Sequence, residues 1–271
     1  MGHRPAWFLL LAVSAGCQSL ASVETPSESA AEASAARELW EQGQDAMRRG
    51  QPDKAIACYE QSLAVDASLA QAHLSLAATY LELGNEAAAC PHLGMYVEAR
   101  PNEGMLRAHY AELLFRLNKP NEAREQFTRY MADAQEQGEP ASSSLIHCHS
   151  RLMEIAQKEN DAYAEHLNRG IGLLLLARAR VAVDDPGGDQ DREGLLCKAA
   201  AELALARLEQ PDEARPCWYL HEVWSQLAQR QPADRWLREA DTAAPFSSLT
   251  PAEQRGLQLA CACRAAETPR K

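Results

Sequence analysis

One small-residue pattern recurs three times at a fixed step between residues 36 and 130. Gly43, Ala77 and Ala111 lie 34 residues apart, and so do Ala55, Ala89 and Ala123. The larger residues Tyr59, Leu93 and Phe127 keep the same step, as do the turn positions Gly50, Gly84 and Asn118. Self-similarity at this period points to a solenoid of stacked units and away from a single globular core. Glycine or alanine at a helix crossing lets two backbones approach, while bulky neighbours fill the sides. One unit cannot hide its apolar face alone, so adjacent units must stack.

The small residues, the large apolar residue between them and the closing Pro101 resemble the tetratricopeptide repeat (TPR). The resemblance implies an all-α fold, a TPR-like right-handed α-solenoid of antiparallel helix pairs with a C-terminal capping helix. It also implies a concave groove lined by the leading helix of each pair, and a role in binding other proteins without catalysis or cofactor. Mapped onto this chain, the groove positions are Trp40, Gln44, Met47 and Arg48, then Leu74, Ala78, Leu81 and Glu82, then Met105, Ala108, Glu112, Phe115 and Arg116. The family's clamp for peptide C-terminal carboxylates needs Lys and Asn at several of these places. They are absent, so the groove suits a helix or extended segment with large apolar anchors.

The N-terminus reads differently. Met1–Arg4 is short and basic, and Ala6–Ala15 is an apolar run of signal-peptide length. A spanning helix needs roughly 20 apolar residues. Ser14-Ala15-Gly16-Cys17 resembles a bacterial lipobox, with Ser14 where lipoproteins usually carry Leu. The resemblance implies a lipid anchor on Cys17 and an exported protein on the periplasmic or outer-membrane side of the cell envelope. Ordinary cleavage after Ala15 or Ala21 is the alternative. Lipid on Cys17 would leave seven of the eight cysteines, so at least one thiol would be free or shared between molecules. A Cys58–Cys90 bridge is conceivable, but small buried hydrophobes are the simpler reading.

The expected organisation is a leader over 1–17, a polar tether over 18–35 with order beginning near Ala36, and three repeats over 36–138. Degenerate helical units follow over 139–250, and a capping helix with tail over 251–271. Two helices are expected at 142–158 and 161–182. An acidic loop rich in breakers fills 184–194, and the segment 163–211 reads as a fourth unit around it. In the last unit Ala233 stands as the counterpart of Ala123, which puts His221 at a leading-helix position that is small elsewhere. Thr250-Pro251-Ala252-Glu253 is a capping-box start with proline just inside the helix.

Candidates for chemistry are few. His147-Cys148-His149 is the most metal-like cluster, but neighbours two apart on a helix do not face one another. Asp189-x-Asp191-x-Glu193-Gly194 opens like a calcium loop, yet the twelfth position, where a carboxylate must close the shell, is Ala200. The formal net charge of −11 argues against nucleic-acid binding, which requires a basic stripe. The reading is therefore a lipid-anchored envelope adaptor that binds another protein. Its rivals are a thiol- or metal-dependent sensor or enzyme built on His147, Cys148 and His149, and a cytosolic repeat adaptor.

Overall fold

The computed structural model describes residues 28–138, 142–180 and 188–267, and all regular structure within them is helical. The helices are α1 (Glu28–Arg48), α2 (Pro52–Val65), α3 (Ala70–Glu82), α4 (Glu86–Ala99), α5 (Gly104–Arg116) and α6 (Pro120–Glu136). Then come α7 (Ser143–Glu159), α8 (Ala162–Arg180), α9 (Gly188–Glu209), α10 (Ala214–Gln226), α11 (Arg230–Ala243), a short 3-10 turn (Ala244–Phe246) and α12 (Pro251–Glu267). Consecutive helices pack on one another from α1 to α6, so sequence order is stacking order. The chain is an all-α, TPR-like solenoid.

The repeating small residues sit where the packing needs them. Gly43 lies under the ring of Tyr59, and a Cβ added there would come within 2.6 Å of Tyr59 Cδ1. Ala55, Ala77, Ala89, Ala111 and Ala123 are all fully or almost fully buried, as are Tyr59, Leu93 and Phe127. Interiors packed at crystal-like density leave no room for a larger residue at such points. Tyr80 borders both the small cluster formed by α1–α3 and the large core that continues to Leu257.

One turn closes five helix pairs. After α1, the Gly50 N–H donates to the Met47 carbonyl, the Gln51 N–H to Ala46 and the Ala55 N–H to Gln51. The same three bonds form at Gly84, Asn85 and Ala89, at Asn118, Lys119 and Ala123, at Asn160, Asp161 and Glu165, and at Ala228, Gln229 and Ala233. The first two bonds are a Schellman motif, which takes up helix-end carbonyls and requires a left-handed residue. That residue is Gly50 (φ 69°), Gly84 (73°), Asn118 (58°), Asn160 (59°) or Ala228 (55°).

The same turn joins α7 to α8, while α8 packs most extensively on α9, the helix paired with it in the expected unit over 163–211. The α7–α8 turn carries no small-residue marker because of Glu165. It stands where Ala55, Ala89 and Ala123 stand in their pairs, so the small-residue marker is lost. Helix α8 packs on both neighbours, with Gly170 against α9 and Gly172 against α7. The apolar run over 170–177 is accordingly the inside of the stack, and no described helix is long and apolar enough to cross a membrane.

Three boundaries differ from expectation. Helix α1 begins at Glu28, because the alanine-rich run before Ala36 is a good helix former even in solvent. Burial does begin at Ala36, whose carbonyl accepts a 2.6 Å bond from Ser62 Oγ. Helix α9 begins at Gly188, so 188–194 is not a loop; residues 184–187 lie outside the described segments. Carboxylates in the first turns favour a helix N-terminus, and Asp191 also pairs with Arg180 at 2.7 Å. With 189–200 helical, the calcium-loop reading fails, since such a loop must wrap an ion with non-helical backbone. Finally, α12 packs on α11 and α10 but also reaches back to α6.

His221 replaces the small crossing residue without opening the crossing. Its Nδ1 lies 3.0 Å from the carbonyl oxygen of Ala233, the small residue on the facing helix. Its ring tilts against Trp218 at 5.5 Å. A polar contact to backbone here replaces alanine-on-alanine packing.

Candidate functional site

The leading helices α1, α3 and α5 carry the candidate groove. On α1, Trp40 Nε1 and Gln44 Nε2 both donate to Ser75 Oγ on α3, each at 2.9 Å. Trp40 and Gln44 therefore act as a strut between pairs, not as free anchors. Met47 packs on the cluster of Tyr59 and Leu76, and its sulfur accepts from Thr79 Oγ1 at 3.6 Å. Leu74 packs on the main core, and Arg48 pairs with Asp45 one turn earlier. Ala78, Leu81, Glu82 and Met105 stay exposed.

Helix α7 covers the far end of the groove. Arg151 donates from Nε and Nη2 to the two oxygens of Glu112, both at 2.9 Å, and His147 Nε2 lies 2.8 Å from the same carboxylate. Burial alone would raise the Glu112 pKa, but the bonds from Arg151 and His147 outweigh it and hold the carboxyl below its usual range. Phe115 is flanked by Arg151 (4.8 Å) and Lys158 (4.7 Å), both over its ring. Arg116 pairs with Glu86. Glu112 and Phe115 are thus committed to α7, while Arg116 stays exposed.

The same helix disperses the His-Cys-His cluster. His147 turns to Glu112, while Cys148 is buried, its thiol pushed up by desolvation to about 12. His149 is buried with Nδ1 2.9 Å from Asn168 Oδ1. A thiol nucleophile must be a thiolate, and burial also raises Cys90, Cys217 and Cys261. All seven described cysteines are free; Cys58 and Cys90 form no bridge. No group of three or more His, Cys, Asp or Glu among the described residues is placed to hold a metal.

One polar cleft escaped the sequence reading. It is about 270 Å³ and lies between α6, α7, α8, α10 and the start of α12. Glu253, 5% exposed, is its hub. Arg215 Nε donates to it at 3.0 Å, Tyr219 Oη at 2.9 Å and the Thr250 N–H at 2.7 Å. The Glu253 N–H returns a bond to Thr250 Oγ1 at 3.2 Å, which completes the capping box. Thr250 Oγ1 also donates to Gln135 Oε1 on α6 at 3.1 Å. Burial raises the pKa of both Tyr163 and Tyr219, so both stay protonated, and it lowers that of His149, which stays neutral. Neither tyrosine is held as a phenolate nucleophile. The capping box was the one sequence signal pointing here.

His149 supplies a pH test. Its folded-state pKa lies below the ordinary value of 6.5 because burial penalises the charged ring. The unfolded chain therefore binds a proton that the folded chain refuses. The stability this confers is complete above pH 6.5 and is lost as pH falls below it. The urea midpoint of wild type should drop between pH 7 and 5, and His149→Gln should flatten that slope. An unchanged slope would mean that His149 is not the titrating group.

Comparison with known proteins bears on the fold. Residues 43–84 match the family model described as TPR repeat. That stretch runs from Gly43 to the left-handed Gly84, somewhat more than one 34-residue period of the pattern. No curated protein matches the chain. Among solved structures, the first TPR of Spaghetti (RPAP3) bound to an HSP90 peptide is 22% identical, covering 47% of this chain and 95% of that one, with a TM-score of 0.36. MamA is 14% identical over 77% of this chain and 91% of its own, with a TM-score of 0.39. Pseudomonas aeruginosa pilF is 15% identical over 84% and 99%, with a TM-score of 0.36. None of their ligands carries over to this chain.

Proposed function

We propose that this protein is a non-catalytic TPR-like scaffold that holds a segment of another protein along α1, α3 and α5, tethered to the cell envelope through lipid on Cys17. The observation that supports binding there is the pair of exposed apolar side chains on successive leading helices, Leu81 at 41% and Met105 at 54%. Isolated exposed apolar residues need no explanation, but apolar side chains bordered by charge are what a helix or strand with apolar anchors requires. Glu82 and Arg48 supply that border. Because α7 occupies Glu112 and Phe115, the open groove is shorter than the family pattern implies. Cys17 lies outside the described residues, and its assignment rests on the lipobox-like run alone.

Two readouts test the two halves separately. The double variant Leu81→Ala with Met105→Ala should cut recovery of the captured partner from membrane extracts at least tenfold, with thermal unfolding unchanged. Undiminished capture would remove this surface. Metabolic labelling with palmitate should mark wild type but not Cys17→Ala, and equal labelling would remove the anchor while leaving the scaffold reading intact.

A further inference from the structure

We infer a second docking site, in the groove between α9 and α11, for an acidic protein segment carrying an apolar anchor. Helix α11 follows the α10–α11 turn as its second helix. Helix α9 enters α10 through the link found after α2 and α4: the Glu213 N–H donates to Gln210, as Leu69 donates to Asp66 and Glu103 to Arg100. The space between α9 and α11 is about 970 Å³.

Three arginines line it, Arg207 from α9 and Arg235 and Arg238 from α11, against Asp212 and Glu239. The chain as a whole carries 38 acidic and 27 basic side chains, so this groove reverses the prevailing sign. Arg235 spends its Nε on Glu239 at 3.0 Å and lies over the Trp236 ring. Exposed Arg238 has no side-chain partner among the described residues, and Arg207 Nε is buried without one. A guanidinium without a side-chain partner in a groove, as at Arg238, favours a bidentate carboxylate.

Apolar surface adjoins the arginines. Phe246, 84% exposed on the short turn after α11, lines the groove, and Leu208, 73% exposed, follows Arg207. Large apolar side chains beside arginine make the composition of a protein-binding hot spot. The occupant that satisfies both features is a peptide whose carboxylates meet Arg238 and Arg235 and whose apolar side chain covers Phe246.

Selection of a random peptide display library on the intact protein tests this, because it needs no prior partner. Net-acidic peptides with a central aromatic or aliphatic residue should be enriched. Their affinity should fall at least tenfold on Arg238→Glu with Phe246→Ala, two exposed positions whose change should leave thermal unfolding unaltered. It should be unaffected by Leu81→Ala with Met105→Ala. Enrichment of neutral or basic peptides overturns the inference, as does indifference to the Arg238 and Phe246 changes. Displacement of the selected peptides by a short oligouridylate would reassign the groove to phosphate ligands, and self-association lost in the Arg238 and Phe246 variant would reassign it to a second copy.

Discussion

Glu253→Ala is expected to lower the stability of the C-terminal half by about 3 kcal/mol, the low end of the cost of breaking a buried ion pair by removing one partner. One carboxylate serves Arg215, Tyr219 and the Thr250 backbone at once. Its loss leaves a mostly buried guanidinium and a buried phenol facing a gap, and it also undoes half of the capping box. For a chain of this size that corresponds to a fall of roughly 6–12 °C in melting temperature. A solenoid couples chiefly through nearest neighbours, so hydrogen exchange should quicken in α10, α12 and the end of α6 while α1–α4 keep their protection. Arg215→Met added to Glu253→Ala should recover much of the loss, because the stranded charge is then gone. If the double variant is no more stable than the single, the carboxylate acts through the cap and not through the pair.

That hub explains which parts of the molecule a reader of the sequence could see. The first three helix pairs were legible because a close crossing tolerates only glycine or alanine, which leaves Gly43, Ala77 and Ala111 at a constant step. The turns were legible for the same reason, since a left-handed residue favours Gly or Asn. The pattern then failed where other side chains could do the same job. Glu165, with its charge held by Arg169, stands where alanine marks other pairs. His221 meets the Ala233 carbonyl in place of packing as a small residue. Ala228 adopts a left-handed turn with no glycine to announce it.

The candidate site was legible only in part. Sequence placed Glu112 and Phe115 on the leading helix α5, but nothing local revealed that Arg151, two helices on, would claim both. The polar cleft joins residues as far apart as Gln135 and Thr250, and no periodicity links such positions. The expectation that α12 merely covers the open end also missed its contact with α6. Long-range closure of this kind is set by superhelix curvature, which accumulates over every pair and is written in none of them.

The curvature depends on how closely α8 seats between α7 and α9, and its two glycines should respond in opposite ways. At Gly170 an added Cβ would lie 2.7 Å from Leu203 Cγ and 3.3 Å from the Ala199 carbonyl oxygen. Leu203 is fully buried and Ala199 contributes backbone, so neither can yield without moving α9. Gly170→Val should therefore cost about 2–3 kcal/mol, the upper part of the range for overpacking a filled core. At Gly172 the nearest foreign atom is His149 Cβ at 3.6 Å, an ordinary contact. Gly172→Ala should be neutral or stabilise by up to about 1 kcal/mol, the gain in helix propensity. Urea unfolding of both variants decides the matter. Equal losses would mean that α8 is held loosely on both sides, and then the α7–α8–α9 stack could not set the curvature that brings Thr250 to Gln135.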